Sequence, residues 1–146
     1  MAGVKGIRYG NLNYKPWQFH LEDINKQSLD WTNIINSNQD CFFILVGDFN
    51  QTRGINNGYG TTEARNLLSN KLSNLDLECL TIQNNIDSYL SIAPNKYEKR
   101  KNIDHICVSK KMINIYNKID VIAWNHFTEQ GKFMSDHNGV AIEINY

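Results

Sequence analysis

Three short polar clusters hold the residues of this sequence whose types and spacing could do chemistry. They are GDFN at 47–50, NIDHI at 102–106 and SDHNG at 135–139, and each adjoins a predicted strand. Taken singly, each cluster is more typical of a turn than of a catalytic site. Strand ends in layered α/β folds gather functional side chains, however, so the three clusters together indicate a site. The candidate residues in them are three carboxylates, one carboxamide and two histidines: Asp48, Asn50, Asp104, His105, Asp136 and His137.

These side chains suit the metal-assisted hydrolysis of a phosphate ester. Mg²⁺ prefers oxygen ligands, and it keeps several waters when few protein carboxylates bind it. One carboxylate can orient and deprotonate an attacking water, while a histidinium held by a second carboxylate neutralises charge on the phosphoryl oxygens. Acyl transfer is disfavoured, because no serine lies in a G-x-S-x-G turn. Only Cys107 has a histidine nearby in sequence, and no polar group orients that pair.

The hydrophobic pattern predicts two amphipathic helices. One starts near His20, where apolar positions recur every three or four residues, and the other is capped by Thr61 or Thr62. The inward stripe of the first helix consists of Leu21, Ile24, Ser28, Trp31 and Ile35, and that of the second of Ala64, Leu67, Leu68 and Leu72.

Strands are predicted between and after these helices. The run Cys41–Val46 is continuously apolar and short, which is typical of a strand covered on both faces. The pattern predicts further strands at 4–9, 77–81, 103–108, 118–124 and 139–144. Strands mixed with two amphipathic helices indicate a layered α/β fold, and 146 residues are most simply one domain spanning 1–146.

Composition restricts the class of protein further. The formal net charge is zero, so the chain as a whole has no general attraction to nucleic acid or to an anionic membrane. No apolar run approaches the ~18 residues of a membrane span, and the start MAGVKGIRYG lacks the apolar core of a signal peptide. Three widely spaced cysteines, each in an apolar run, favour buried free thiols in a reducing cytoplasm.

Charge is uneven in one segment. Residues 96–111 contain six Lys or Arg against two acids. A solvated face is the ordinary interpretation of such a run. Because this run flanks Asp104, however, we expect Lys99, Arg100 and Lys101 to meet the phosphates of a substrate.

Three stretches, taken in order, resemble the later motifs of a known family. ILVGDFN, NIDHICVS and SDHNGVAIEI are similar to motifs of the endonuclease/exonuclease/phosphatase superfamily, the DNase I-like metal-dependent phosphoesterases. The resemblance covers Trp17 to Tyr146, and PWQFHLEDINKQSLDW resembles the helix before the GDFN strand in some bacterial members. It implies an α/β fold in which a layered β-sandwich is flanked by helices.

The resemblance also implies a role for each site residue. Asp48 would position the nucleophilic water, and Asn50 would contact the scissile phosphate. His137, paired with Asp104, would stabilise the phosphate, and Asp136 would lie at the metal, a Mg²⁺ or Mn²⁺ ion. His105, on the opposite face of its strand, is expected to be structural.

The sequence departs from the family at its start. Family members carry an N-terminal half with a metal-binding glutamate, whereas GIRYGNLNY offers neither acid nor histidine. His20 and Glu22 lie at a helix start and do not match the missing motifs. We therefore expect the C-terminal half of the family domain, truncated on its N-terminal side, with an incomplete metal site. An apolar sheet face would then be covered by a homodimer partner, by a complementing N-terminal segment or by the rest of a longer protein.

The leading hypothesis is a phosphodiesterase, nuclease or phosphatase that uses Mg²⁺-assisted attack of water on phosphorus. Its substrate would be nucleic acid, a phospholipid head group or a small phosphate ester. The alternatives are a non-catalytic interaction module, a nucleic-acid-binding domain and an inactive fragment, and they follow from the missing N-terminal half.

Overall fold

Nine helices and strands make up the part of the chain that the computed structural model describes, residues 17–90, 101–116 and 118–145. The helices are α1 (Gln18–Ser37), α2 (Thr62–Asn74), α3 (Gln83–Ile86) and α4 (Lys110–Ile115). The strands are β1 (Ile44–Asp48), β2 (Leu77–Cys79), β3 (Asp104–Ser109), β4 (Lys118–Trp124) and β5 (Gly139–Asn145). The mixed α/β class is confirmed. Within these ranges, none of the helices combines the length and the apolar character needed to cross a bilayer.

The strands form two small antiparallel sheets. The first has the order β1-β3-β2, so that β3 is central, and the second pairs β4 with β5. In the first sheet Asp48 lies directly opposite Asp104, and Val46 lies opposite Ile106. Directly opposite residues share a face of an antiparallel sheet, so these pairs point to the same side.

The three-stranded sheet is packed on both faces at β3. Helices α1 and α2 cover one face with a core of Ile24, Ala64, Leu68, Leu72, Leu77 and Cys107. The second sheet covers the other face, where Ile106 and Val108 of β3 pack against Val140, Ile142 and Ile144 of β5. Residues 104–109 are accordingly buried almost throughout. The chain therefore stacks helices, one sheet and a second sheet, and β3 lies between the other layers.

Both predicted amphipathic helices are confirmed. α1 begins two residues before His20, at Gln18, and buries Ile24 and Ser28 from the predicted stripe. Thr61 is the N-cap of α2, and its hydroxyl accepts a hydrogen bond from the Ala64 N–H over 3.1 Å. The sequence did not predict α3 and α4, because four and six residues are too few to show a helical period. The strand predicted at 4–9 lies outside the described residues.

The prediction that Cys41–Val46 is covered on both faces is wrong. The strand begins three residues later, at Ile44, and it is an edge strand of its sheet. Ile44 and Val46 are 45% and 62% exposed, although their register partners Val108 and Ile106 are buried. The apolar run predicts cover on both faces, but the second sheet packs on β3 and leaves the same face of β1 open to solvent.

The three cysteines have different environments. Cys107 is buried, Cys79 is half-buried and Cys41 is exposed, so the prediction of three buried thiols is wrong for Cys41. Cys41 precedes β1, and its N–H bonds to the Asn38 carbonyl in the turn that follows α1. The apolar run therefore starts before the strand does.

Candidate phosphate and metal site

The GDFN turn places Asp48 and Asn50 side by side at the end of β1. Asp48 is the last residue of the strand, and the Phe49 N–H bonds to the Ile103 carbonyl over 2.9 Å. Asn50 has a left-handed backbone with φ 50°, a conformation that asparagine tolerates better than most residues. Its N–H donates to Oδ1 of Asp48 over 2.7 Å. The turn thus orients one carboxylate oxygen through the backbone of the next polar residue.

The buried side chain of His105 stabilises this turn. Its side chain is 1% exposed. Its Nε2 lies 2.9 Å from the carbonyl oxygen of Gln51, and its Nδ1 lies 3.1 Å from that of Thr81. The ring also packs against Phe49, with 5.7 Å between centroids. These contacts agree with the structural role expected for His105.

Asp48 and Asp104 face one another across the β1–β3 pair. They are register partners, and their side chains therefore lie on the same face of the sheet. Two like charges directly opposite one another destabilise an antiparallel pair. A cation between or beside the two carboxylates would offset this repulsion.

His137 lies beside this pair of acids and carries a positive charge when it is protonated. Its Nδ1 lies 2.7 Å from Oδ2 of Asp104. That hydrogen bond raises the pKa of His137 above its ordinary value of 6.5, and the nearby charges of Asp104, Asp48 and Asp136 raise it further, while burial opposes the shift. The pairing brings together the histidine and the carboxylate of the predicted pair, and it favours the charged form of the ring.

A possible metal-binding group is formed by Asp48, Asp104 and His137. Each offers a ligand atom, and these atoms lie within 4.8 Å of one another. Among the described residues this is the group of three or more acids, histidines or cysteines that comes together in this way. Asp136 is exposed and is not one of the three, so its predicted role at the metal stays a prediction. The two carboxylates of the group supply oxygen ligands that suit a hard divalent cation that keeps several waters.

His126, which belongs to none of the sequence motifs, anchors the loop before β5. The carbonyl of His126 accepts hydrogen bonds from the N–H groups of Met134 and Ser135, over 2.9 and 3.2 Å. Its Nδ1 lies 3.2 Å from Oδ1 of Asn138, and both side chains are buried. His137 lies between these anchored positions, and its N–H bonds to Oγ of Ser135. An isolated histidine outside any motif carries no sequence signal for this role.

A pocket of about 400 Å³ adjoins Asp48 and Asn50, between α1 and β1. Its lining includes His20, Asp23 and Trp31. Nε2 of His20 is buried and has no hydrogen-bond partner among the described residues. Burial lowers the pKa of His20, and the charges of Asp23 and Asp48 partly offset this. His20 did not match a family motif in the sequence, but the fold brings it beside the predicted site.

The predicted basic segment is described only at its end. Lys99 and Arg100 lie outside the described residues, so their predicted phosphate contacts stay predictions. Lys101 is exposed, and its Nζ donates a hydrogen bond to the carbonyl of Asn57, in the loop that follows the GDFN turn.

Comparison of the chain with protein-family models, with curated proteins and with solved structures found no match to any of them. The function is therefore argued from the site itself.

Proposed function

We propose that this chain hydrolyses a phosphate ester with the help of a divalent cation, Mg²⁺ or Mn²⁺. The single observation that carries the proposal is the cluster of Asp48, Asp104 and His137, with His137 hydrogen-bonded to Asp104. In this cluster an acid that water can reach lies beside a histidinium, and carboxylates are in excess. These groups suit attack at a phosphate better than attack at a carbonyl.

His137 stabilises the substrate's phosphoryl group in this mechanism. Its Nδ1–H is directed to Asp104, which leaves the Nε2–H to donate to a phosphoryl oxygen. Because the pKa of His137 is raised, the ring carries its charge over a wider pH range than a free histidine does. Asp104 is the positioning residue that fixes the ring and favours its charged form.

Asp48 orients the attacking water and accepts a proton from it. Its Oδ1 is engaged by the Asn50 N–H, which fixes the carboxylate and leaves Oδ2 for the water. The side-chain amide of Asn50 adds a neutral donor toward the phosphate. Asn50 is exposed at the mouth of the pocket, where a substrate has access to it.

The donor set fits a hard divalent cation. Asp48 and Asp104 would hold it, with Asp136 of the neighbouring loop as the predicted third acid. When bound, the cation polarises the phosphoryl group and offsets the repulsion between the facing carboxylates. The remaining ligands would be waters, as Mg²⁺ prefers.

The finer fold hypothesis, a DNase I-like sandwich, belongs to the same proposal. Two stacked antiparallel sheets with α1 and α2 against the outer face of one of them support it. The substrate class follows from the site's chemistry only as far as a phosphate-containing molecule, with nucleic acid, a lipid head group and a small ester as the candidates.

Hydrolysis of bis(p-nitrophenyl) phosphate tests the proposal, with Mg²⁺ or Mn²⁺ and with a chelator as the metal-free arm. We expect Asp48→Asn and His137→Gln each to lower turnover by about 10²–10⁴-fold. Asp30→Asn, a matched change at an exposed helix position, should leave turnover unchanged. Activity that survives both site substitutions would sink the assigned roles. A folded chain that never hydrolyses the ester would instead favour a non-catalytic module.

A further inference from the structure

Two of the three cysteines face one another across adjacent strands. Cys79 of β2 and Cys107 of β3 are register partners. The Leu80 N–H bonds to the Ile106 carbonyl over 2.9 Å, which makes the cysteines a non-hydrogen-bonded pair of the antiparallel ladder. Cα atoms in such a pair lie about 4.5 Å apart and the side chains approach closely. That separation falls within the range that a disulfide requires, about 4.4–6.8 Å.

The surroundings of the two sulfurs differ. A hydrogen bond from the Cys107 thiol lowers the pKa of Cys79, with a contribution from His105. The same hydrogen bond, together with burial, raises the pKa of Cys107. Cys79 is half-buried, whereas Cys107 is 0% exposed. An oxidant from solvent therefore meets Cys79 first, and the lowered pKa of Cys79 favours its thiolate form.

We propose that Cys79 and Cys107 form a reversible cross-strand disulfide, and that a hydroperoxide reacting at Cys79 is the oxidant that produces it. This modification site is independent of the proposed phosphoesterase activity. It needs no rearrangement of the sheet, because the register already places the two residues opposite one another.

The chemistry proceeds in two steps. The Cys79 thiolate attacks the terminal oxygen of the hydroperoxide, so that an S–O bond forms and the O–O bond breaks. The departing oxygen takes up a proton and leaves as water or an alcohol, and Cys79 becomes a sulfenic acid. The Cys107 sulfur then attacks Cys79; the S–S bond forms, the S–O bond breaks, and the released hydroxide combines with the Cys107 proton as water. Two thiols are oxidised by two electrons in total while one peroxide is reduced.

The third cysteine provides an internal control. Cys41 is exposed and lies before β1, on the opposite side of β3 from β2. General oxidation of accessible thiols would modify Cys41 first. Oxidation determined by the register of β2 with β3 would leave Cys41 unmodified and join Cys79 to Cys107.

The test treats the whole chain with one equivalent of hydrogen peroxide and follows intact mass and peptide maps. We expect the loss of two hydrogens, a Cys79–Cys107 cross-linked peptide, and reversal by a thiol reductant. The Cys107→Ser variant should stop at a Cys79 sulfenic acid that dimedone traps, and Cys79→Ser should give neither product. Since the wild-type arm needs no substitution, a poorly folding variant does not weaken the test.

The opposite results are equally clear. A disulfide that includes Cys41, or an unchanged mass after peroxide, would overturn the proposal. So would an equal yield of dimedone adduct at Cys107 in the Cys79→Ser variant. Oxidation should also raise the thermal midpoint, and reduction should return it, because the bond joins β2 to β3 in the register that they already have. A midpoint that falls on oxidation would mean that the disulfide is not compatible with the folded sheet.

Discussion

His137 and Asp104 form a hydrogen bond of 2.7 Å although 33 residues separate them in the chain. Asp104 opens the central strand of one sheet, and His137 lies in the loop that leads into the second sheet. The contact therefore exists only when the two sheets are stacked. The pKa of His137 is accordingly raised by folding, and the protonation of His137 is coupled to the stability of the fold.

The first prediction concerns this coupling. Because the folded pKa of His137 is raised, the stability from the pair is fully present below the ordinary value of 6.5 and is lost as pH rises through the folded pKa. We expect His137→Gln to lower the free energy of unfolding at about pH 5 and to change it much less at about pH 9. Urea denaturation of both proteins across that range measures the difference. A difference that grows with pH would contradict the pairing.

The second prediction separates the metal from the repulsion of the acids. Asp48→Asn keeps an oxygen to accept the Asn50 N–H but removes the charge opposite Asp104. With a chelator present, we expect the variant to be more stable than wild type by about 0.2–1 kcal/mol. In wild type, Mn²⁺ at about a hundred times its Kd should add about 2.7 kcal/mol, and the variant should lose that gain. Asp30→Asn is the control, and it should respond to Mn²⁺ as wild type does.

The sequence indicated the site residues because their motifs lie beside strands. The hydrophobic pattern alone is enough to predict those strands. The sequence predicted that Asp48, Asp104 and His137 belong together, and the register of β1 with β3 brings the first two face to face. Its prediction that both faces of β1 are covered is wrong, because an apolar run is the same for a central strand and for an edge strand. Coverage depends on how far the second sheet extends, which is a tertiary property.

The same limit applies to the supporting residues. His126 and Asn138 anchor the loop that carries His137, but their contact joins positions with no shared motif. His20 lies in the pocket beside Asp48 because α1 packs along β1, and its sequence neighbours gave no sign of this. Residues that act through another residue leave little trace in a single sequence.

A third prediction uses the left-handed backbone of Asn50, with φ 50°. A Cβ-bearing residue without a compensating side chain is strained there by about 1–2 kcal/mol, so Asn50→Ala should lose that much stability. Asn50→Gly should stay within about 1 kcal/mol of wild type. Both variants lack the carboxamide, and both should lose hydrolysis by a similar factor of about 10²–10³. Full activity in Asn50→Gly would remove the amide from the mechanism.

A fourth prediction has the opposite sign of pH dependence. Burial lowers the pKa of His20, so the unfolded chain binds a proton there more readily than the folded chain does. Stability from this site is present above 6.5 and falls as pH is lowered. We therefore expect His20→Gln to reduce the loss of stability between about pH 8 and about pH 5. Denaturation of the variant and of wild type at both pH values checks this, and an unchanged or larger acid loss in the variant would contradict it.

A fifth prediction compares two residues that share a face of the first sheet. Val46 is 62% exposed, whereas its register partner Ile106 is 6% exposed. We expect Ile106→Ala to lower the free energy of unfolding by about 2–5 kcal/mol, because it opens a cavity between β3 and the second sheet. Val46→Ser should change it by no more than about 0.5 kcal/mol, since that side chain already contacts water. Ile34→Ser, at an exposed position of α1, is the matched control for removing apolar surface.

The dependence of stability on protein concentration distinguishes a monomer from a homodimer in which a second copy covers the β1 face. If a homodimer, one of the three predicted ways to cover an apolar sheet face, forms there, the wild-type free energy of unfolding rises with concentration, and Val46→Ser weakens that dependence while Ile34→Ser does not. Sedimentation velocity of the three proteins measures the same association directly. A wild-type chain that sediments as a monomer at every concentration, with Val46→Ser indistinguishable from it, would exclude the homodimer. The exposed side chains of Ile44 and Val46 would then contact solvent or a partner other than a second copy of the chain.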